Sequence, residues 1–205
     1  MEKYLTVREN KIYTGEIVEK KSRFIAYLSF VSSVVEAAAF LSSIKKKHYD
    51  ARHNCSAYII RGDDGAPDIL HSSDDGEPSG TAGKPIMNVL SGAKLKNVIM
   101  VVTRYFGGTL LGTGGLVRAY TNASLEALKN AEDDIYTVCA YEDIVVSFDY
   151  QNEGKVRRIL EDFGVSPGET EYTEKVRFHM SIEEERVEML KETLVESLSG
   201  AVRFL

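Results

Sequence analysis

The sequence predicts an α+β protein with two domains, residues 1–134 and 135–205. Segments with strand-like and helix-like periodicity alternate along the chain. The composition changes near residues 131–134, because 12 of the 16 glycines lie in residues 1–136. The segments that follow are ordered β-α-β(β)-α-β, which suggests a ferredoxin-like sandwich. A chain of 205 residues is long enough for two small domains.

The first domain is predicted to mix strands and helices. Its strand-like segments are rich in β-branched and aromatic residues, and they cover residues 12–18, 23–30, 55–60 and 98–102. The last of these is apolar throughout, which predicts burial on both faces of a sheet. Helices are expected over residues 34–49, from just after Gly83 through Leu90, and over residues 116–128. The first helix ends in three lysines, whose charge suits a helix C-terminus.

The second domain has a simpler alternation. Strands are expected at residues 143–150, 172–182 and 201–205, and helices at residues 153–163 and 183–198. The last helix carries apolar residues on one stripe and acids on the other, the pattern of a helix that packs on a sheet.

Charge is unevenly distributed over the chain, whose net charge is −6. Residues 1–136 hold 17 Lys and Arg against 16 Asp and Glu, a net charge of +1. Residues 137–205 hold 8 against 15, a net charge of −7. An acidic surface repels phosphate groups. The first domain is therefore the better candidate for binding nucleic acid.

Two features predict a cytoplasmic protein that does not enter a membrane. No segment approaches the roughly 20 apolar residues of a membrane helix, and the first residues lack the apolar stretch of a signal peptide. The two cysteines, Cys55 and Cys139, are far apart in sequence and are expected to be reduced in this compartment.

A glycine-rich segment, residues 103–120, separates the buried strand from the next helix. Five glycines there can let backbone N–H groups converge beside a helix N-terminus, which makes an anion-binding site. Arg104 and Arg118 flank the segment and could grip a phosphate, and Tyr105 and Phe106 could supply a stacking face. The alternative is that the glycines only shape a tight turn or a close helix contact. The five glycines are Gly107, Gly108, Gly112, Gly114 and Gly115.

A second segment, residues 72–83, gathers acids, hydroxyls and glycines. Asp74, Asp75 and Glu77 could bind a divalent cation or supply a general base. The spacing does not match an EF-hand loop, and we favour a loop with Asx-turns and a helix cap. His53 is a further candidate for this acidic site. Strand periodicity also places it on the same face as Cys55, so the two could form a base and a nucleophile, but we favour Cys55 as a small core residue. No metal site and no cofactor are predicted.

The same segments resemble the YigZ/Impact family. The resemblance rests on Lys-Ser-Arg-Phe-Ile-Ala at residues 21–26 and Ala-Arg-His-Asn-Cys-Ser-Ala-Tyr at residues 51–58, together with residues 73–86 and 103–120. It implies an N-terminal domain of the ribosomal protein S5 domain 2-like fold. It also implies a ferredoxin-like C-terminal domain similar to the last domain of elongation factor G. The eukaryotic relative Impact regulates translation by binding a protein that activates an initiation kinase.

The expected function is therefore a non-catalytic, translation-linked regulator that binds RNA or a ribosome-associated protein. The glycine-rich segment would be its phosphate site. The chain lacks nucleophile-elbow and metal-ligand motifs, which weighs against an enzyme. Two alternatives stay open: a hydrolase that uses Asp75, Glu77 and His53 beside the glycine-rich segment, and a pure protein-interaction module. The sequence leaves open whether the protein is a monomer or a homodimer.

Overall fold

The computed structural model describes residues 3–62 and 66–205 of the chain. These residues form two compact units, one of residues 4–138 and one of residues 139–205 together with Lys3. The predicted division after residue 134 lies four residues earlier than this one. The reason is that Ile135–Val138 form a strand that pairs with Tyr4–Val7 inside the first unit.

The first unit is built on a five-stranded antiparallel sheet with the order β2-β3-β6-β4-β5, beside the separate β1-β7 pair. Its strands are β1 (Tyr4–Val7), β2 (Ile12–Glu19), β3 (Ser22–Phe30), β4 (His53–Ile60), β5 (Ile69–Ser73), β6 (Val98–Tyr105) and β7 (Ile135–Val138). Its helices are α1 (Val34–Lys47), α2 (Gly83–Gly92) and α3 (Thr113–Lys129).

Helices cover both faces of this sheet. On one face, α2 and α3 pack over the side of β6 that carries Met100 and Val102. On the other face, α1 packs over Ile99 and Val101. Alternate residues of a strand point to opposite faces, so the apolar run in β6 is buried on both sides, as its composition predicts.

A glycine lets α3 lie directly against β2. A Cβ atom on Gly15 would stand 2.2 Å from the backbone nitrogen of Ala127, a distance that no side chain could occupy. This close contact fixes the position of α3, and with it the glycine-rich segment that precedes the helix.

The second unit is a four-stranded antiparallel sheet with the order β11-β8-β10-β9. Its elements are β8 (Tyr141–Phe148), α4 (Glu153–Asp162), β9 (Thr170–Tyr172), β10 (Val176–Glu183), α5 (Val187–Ser197) and β11 (Val202–Phe204). Both helices contribute to one apolar core with the inward residues of the strands. In β10, buried residues alternate with more exposed ones, which leaves the opposite face of the sheet polar.

Three short strands and one hairpin differ from the sequence-based expectations. The single strand predicted at residues 172–182 is wrong, because the chain turns at Thr173, whose N–H bonds the carbonyl of Lys175. β1, β5 and β7 were not predicted; each has five residues or fewer, and four of the five residues of β5 are exposed. Among the described residues, no helix is both long and apolar enough to cross a membrane.

Candidate functional site

Two loops meet at one end of the five-stranded sheet. β6 leads into the glycine-rich loop, residues 106–112, and β5 leads into the acidic loop, residues 74–82. The same end holds the first residues of β3 and β4, because Phe24 and His53 both lie opposite Arg104 in the strand register. The sheet therefore places side by side the two segments that the sequence singles out.

A buried ion pair joins the acidic loop to β6. Arg104 Nη1 donates to Glu77 Oε1 at 2.7 Å, and the two side chains are only 7% and 3% exposed. Tyr120 of α3 donates its hydroxyl proton to the same oxygen at 2.8 Å. A buried charge is tolerated when it is paired and hydrogen-bonded. These three side chains therefore tie the acidic loop, β6 and α3 together.

Cys55 lies beside Tyr120, and its thiol is enclosed. Its thiol donates to the carbonyl oxygen of Asp74 at 2.9 Å and lies 3.3 Å from Tyr120 Oη. Burial raises the pKa of Cys55 to about 12, and burial also raises the pKa of Tyr120. A thiol that stays protonated is a poor nucleophile. The contacts do not support Cys55 and His53 as a nucleophile and base.

Asp74 holds the acidic loop in shape and caps α2. Its carboxylate accepts hydrogen bonds from the backbone N–H groups of Gly80, Ala82 and Gly83 at 2.8–2.9 Å. Burial by itself would raise the pKa of Asp74, but the three backbone hydrogen bonds outweigh it and the pKa is lowered. The geometry is that of a helix cap, which is the role that we favour for residues 72–83 over a cation site.

Asp75 and His53 are also engaged inside the unit. The Asp75 carboxylate accepts from the backbone N–H of Asn54 at 2.8 Å and from Lys45 Nζ at 2.7 Å. His53 Nδ1 lies 3.0 Å from the Asp75 carbonyl oxygen. In the described part of the chain, no group of three His, Cys, Asp or Glu residues is arranged to hold a metal ion.

Tyr105 is anchored on the opposite face of the sheet. Its hydroxyl donates to Asp50 at 2.9 Å and accepts from His48 Nδ1 at 2.8 Å. The other ring nitrogen of His48, Nε2, lies 2.6 Å from the Tyr27 hydroxyl. Burial lowers the pKa of His48 and so favours the neutral ring, and a neutral ring with its proton on Nδ1 accepts the hydroxyl proton of Tyr27. Tyr105 is thus part of a hydrogen-bonded chain and not a free ring.

The exposed side of this end is basic. Lys20 and Lys21 form the turn between β2 and β3, both with positive φ, and we call them the basic turn. Gly107 fastens the glycine-rich loop to it, because a Cβ there would stand 2.0 Å from the Lys21 carbonyl carbon. The Gly107 N–H also donates to Ser22 Oγ at 3.1 Å. Within the described residues, neither lysine has an ion pair or a side-chain hydrogen bond.

A small cavity of about 100 Å³ opens beside the basic turn. Its polar lining consists of Glu19, Lys20, Arg118 and Asn122, and Gly115 and apolar residues complete it. Arg118 is exposed and, like the two lysines, has no side-chain partner among the described residues. The first turn of α3 lies at this cavity, and no side chain in the described part of the protein caps it. Uncapped N–H groups carry partial positive charge and attract anions.

The structure therefore separates the residues that the sequence grouped as one anion site. Arg104 and Tyr105 are held by internal partners, whereas Arg118 faces the solvent with the first turn of α3. Lys20 and Lys21 were missed, although two successive lysines between two predicted strands were visible in the sequence. The glycines also differ, since Gly107 is enclosed while Gly108, Gly112 and Gly114 have open space beside them.

Comparison with known proteins places this site within a matched family domain. The model of the "Impact N-terminal domain" matches residues 20–128, and a "Domain of unknown function (DUF1949)" matches residues 146–201. The first match spans the basic turn and both loops.

Similar proteins cover nearly the whole chain. The "IMPACT family member YvyE" of Bacillus subtilis is 42% identical over 200 residues, which is 96% of this chain and 88% of that protein. An "IMPACT family member" of Haemophilus influenzae is 38% identical over 203 residues, 98% of this chain and 95% of that protein. A solved structure described as "Crystal structure of an hypothetical protein" covers 100% of this chain and 97% of its own, with TM-score 0.63 and 32% identity.

Proposed function

This chain belongs to the IMPACT family, and from that premise we propose that it is a non-catalytic, translation-linked regulator that binds RNA. The binding surface would consist of the basic turn, the glycine-rich loop and Arg118. The resemblance to the eukaryotic relative Impact, which acts on translation, supports the link to translation. A ribosome-associated protein is the other candidate partner, and the experiment below distinguishes the two.

The observation that carries the proposal is a set of unpaired cations beside an uncapped helix N-terminus. Lys20 and Arg118 line one cavity, and Lys21 follows Lys20 in the same turn. A cation that is already paired inside the protein gains little binding free energy from a phosphate. An exposed, unpaired cation can neutralise a phosphate and so release the counterions condensed on the RNA. The N–H groups at the start of α3 would add donors for the phosphate oxygens.

Arg104 has a supporting role in this proposal. Its guanidinium is enclosed and paired with Glu77, so it holds the loops in place and leaves phosphate contact to Arg118 and the lysines. The hydrolase alternative has less support. Asp75 is bound to Lys45 and to a backbone N–H, and Glu77 is bound to Arg104 and Tyr120.

We also propose the finer fold names. The β-α-β-β-α-β order of the second unit and its sheet order, β11-β8-β10-β9, support a ferredoxin-like fold related to the last domain of elongation factor G. The first unit would be the S5 domain 2-like domain that the family resemblance implies. Both names are consistent with a partner in the translation apparatus, although a fold alone does not determine function.

The proposal is tested by removing three cations together. In the variant Lys20→Ala, Lys21→Ala, Arg118→Ala, binding to rRNA and tRNA should weaken at least about tenfold at low salt. The slope of log K against log salt should become shallower by roughly 2, since each phosphate contact to a single strand contributes about 0.7. Affinity would be measured by fluorescence anisotropy at two or more salt concentrations.

A matched variant controls for net charge. Lys46, Lys84 and Lys129 are exposed lysines elsewhere in the first unit, and replacing all three with alanine removes the same charge. Equal losses in the two variants would mean that binding is non-specific. No binding of any RNA at low salt by the unaltered protein would reject the RNA proposal in favour of a protein partner.

A further inference from the structure

One aromatic ring projects from the glycine-rich loop beside the basic turn. Phe106 is 54% exposed, and it is the residue that directly follows β6. Its neighbour Gly107 lies against the backbone of Lys21. The ring therefore lies within one or two residues of the point where the loop meets the basic turn.

The guanidinium of Arg104 supports this ring from below. Arg104 Cζ lies 5.5 Å from the centroid of Phe106 and 5.4 Å from that of Phe24. Because Glu77 holds the guanidinium in place, the ring of Phe106 rests on a fixed plane and loses little freedom when a ligand contacts it. An exposed ring with a rigid support is suited to stacking.

Neighbouring aromatic residues do not offer the same surface. The hydroxyl of Tyr105 is bound to Asp50 and His48 on the opposite face of the sheet. Phe24 is fully buried beneath Arg104. Of the three aromatic residues that adjoin Arg104, namely Phe24, Tyr105 and Phe106, Phe106 is thus the one whose ring is open to a ligand beside the basic turn.

We propose that Phe106 is a platform on which an unpaired base of single-stranded RNA stacks while Lys20, Lys21 and Arg118 contact the flanking phosphates. This inference rests on the proposed RNA-binding function and narrows its ligand. Bases inside a duplex are already stacked on each other and cannot be placed on a side chain. An aromatic side chain combined with a cationic surface is the combination that binds single strands with little sequence preference.

The first test compares two RNAs. A single-stranded oligoadenylate of about 12 nucleotides and a fully paired duplex of the same length would be titrated into the full-length protein. Phe106→Ala should weaken single-strand binding by roughly 5- to 150-fold, the range for loss of one stacked base. Duplex binding should change less than about twofold, because the phosphate contacts remain.

The chain contains no tryptophan, which gives a direct readout. Phe106→Trp places a single indole at the platform and should retain single-strand affinity. Its fluorescence should be quenched by the oligoadenylate and left unchanged by the duplex. A Trp signal that does not respond to saturating single strand would overturn the stacking proposal.

Control variants separate the possible failures. Tyr136→Ala removes an exposed aromatic ring on β7, whose partner strand β1 adjoins Leu95 at the opposite end of β6. It should leave both affinities unchanged, and thermal melts would confirm that each variant is folded. If Phe106→Ala affects both RNAs equally, or neither, the platform is rejected while RNA binding through the cations stands. If the unaltered protein binds neither RNA, both proposals fail.

Discussion

The acidic loop and the glycine-rich loop lie at the same end of one sheet, yet their polar groups are used in opposite ways. The acidic loop directs its carboxylates inward, to Arg104, Tyr120, Lys45 and backbone N–H groups. The glycine-rich loop and the first turns of α3 leave an uncapped helix start, an exposed ring and Arg118 facing outward. The acidic loop therefore maintains the architecture, whereas the glycine-rich loop and α3 leave groups open to the solvent.

This difference teaches that a dense cluster of reactive residue types does not by itself mark a binding site. What separates the two loops is whether each polar group already has a partner. A buried group with its hydrogen bonds satisfied gives stability and shape, whereas an exposed cation without a partner is available to an anion. Substitutions in the acidic loop should therefore alter stability first, and substitutions of the exposed cations, Lys20, Lys21 and Arg118, should alter binding alone.

The largest effect is expected from breaking the buried ion pair. Glu77→Ala leaves the Arg104 guanidinium enclosed without its carboxylate, which should destabilise the protein by about 3–5 kcal/mol. The exposed pair of Glu16 and Arg23 is the matched control, and Glu16→Ala should cost less than about 1 kcal/mol. Urea unfolding measures both values. Similar decreases in the free energy of unfolding for the two variants would contradict the conclusion that the buried carboxylate of Glu77 stabilises the protein.

A second, smaller effect concerns the contact that fastens the glycine-rich loop. Gly107→Ala places a methyl group 2.0 Å from the carbonyl carbon of Lys21, so the basic turn must move. Overpacking of this kind costs about 1–3 kcal/mol. RNA affinity should fall as well, because the loop and the turn form one surface. Urea unfolding and RNA titration of one sample would check both, and unchanged stability would mean that the loop is not fastened there.

The hydrogen-bonded chain around His48 predicts a pH dependence of stability that RNA binding should not share. Burial lowers the pKa of His48 below its ordinary value of 6.5. Above that value His48 is neutral in both states, and stability is unaffected. As the pH falls below 6.5, the unfolded state binds the proton first, so the free energy of unfolding decreases until the folded-state pKa is reached.

His48→Gln is the variant that tests this dependence. It should remove the decrease in the free energy of unfolding below about pH 6.5, and it should leave RNA affinity unchanged because His48 is not part of the proposed binding surface. Urea unfolding at several pH values gives the stability, and anisotropy gives the affinity. An unchanged pH dependence in the variant would mean that another group is responsible.

Features that depend on neighbouring residues in the sequence could be predicted, whereas features that depend on distant residues could not. The apolar run in β6 predicted a strand buried on both faces, because burial of a short segment can be read from its own residues. β5 was missed because its residues are largely polar and exposed and it is held by pairing with β4. The burial of Arg104 depends on Glu77, 27 residues away in sequence, so no local pattern indicates it.

The smallest expected effect most directly tests whether the glycines at the start of α3 form an anion-binding site or only shape a tight turn. Gly114 lies in the first turn of α3, and a Cβ there would have nothing within 4 Å. Alanine is the better helix former, so Gly114→Ala should leave stability unchanged or raise it by up to about 1 kcal/mol. If the first turn of α3 binds phosphate, the added methyl group stands where the phosphate approaches, and RNA affinity should fall severalfold even though the protein is no less stable.

Gly92→Ala, at the end of α2, also has open space and serves as the control. Unchanged affinity in the Gly114 variant would mean that the glycines serve only to shape the turn, and that the cations alone hold the ligand.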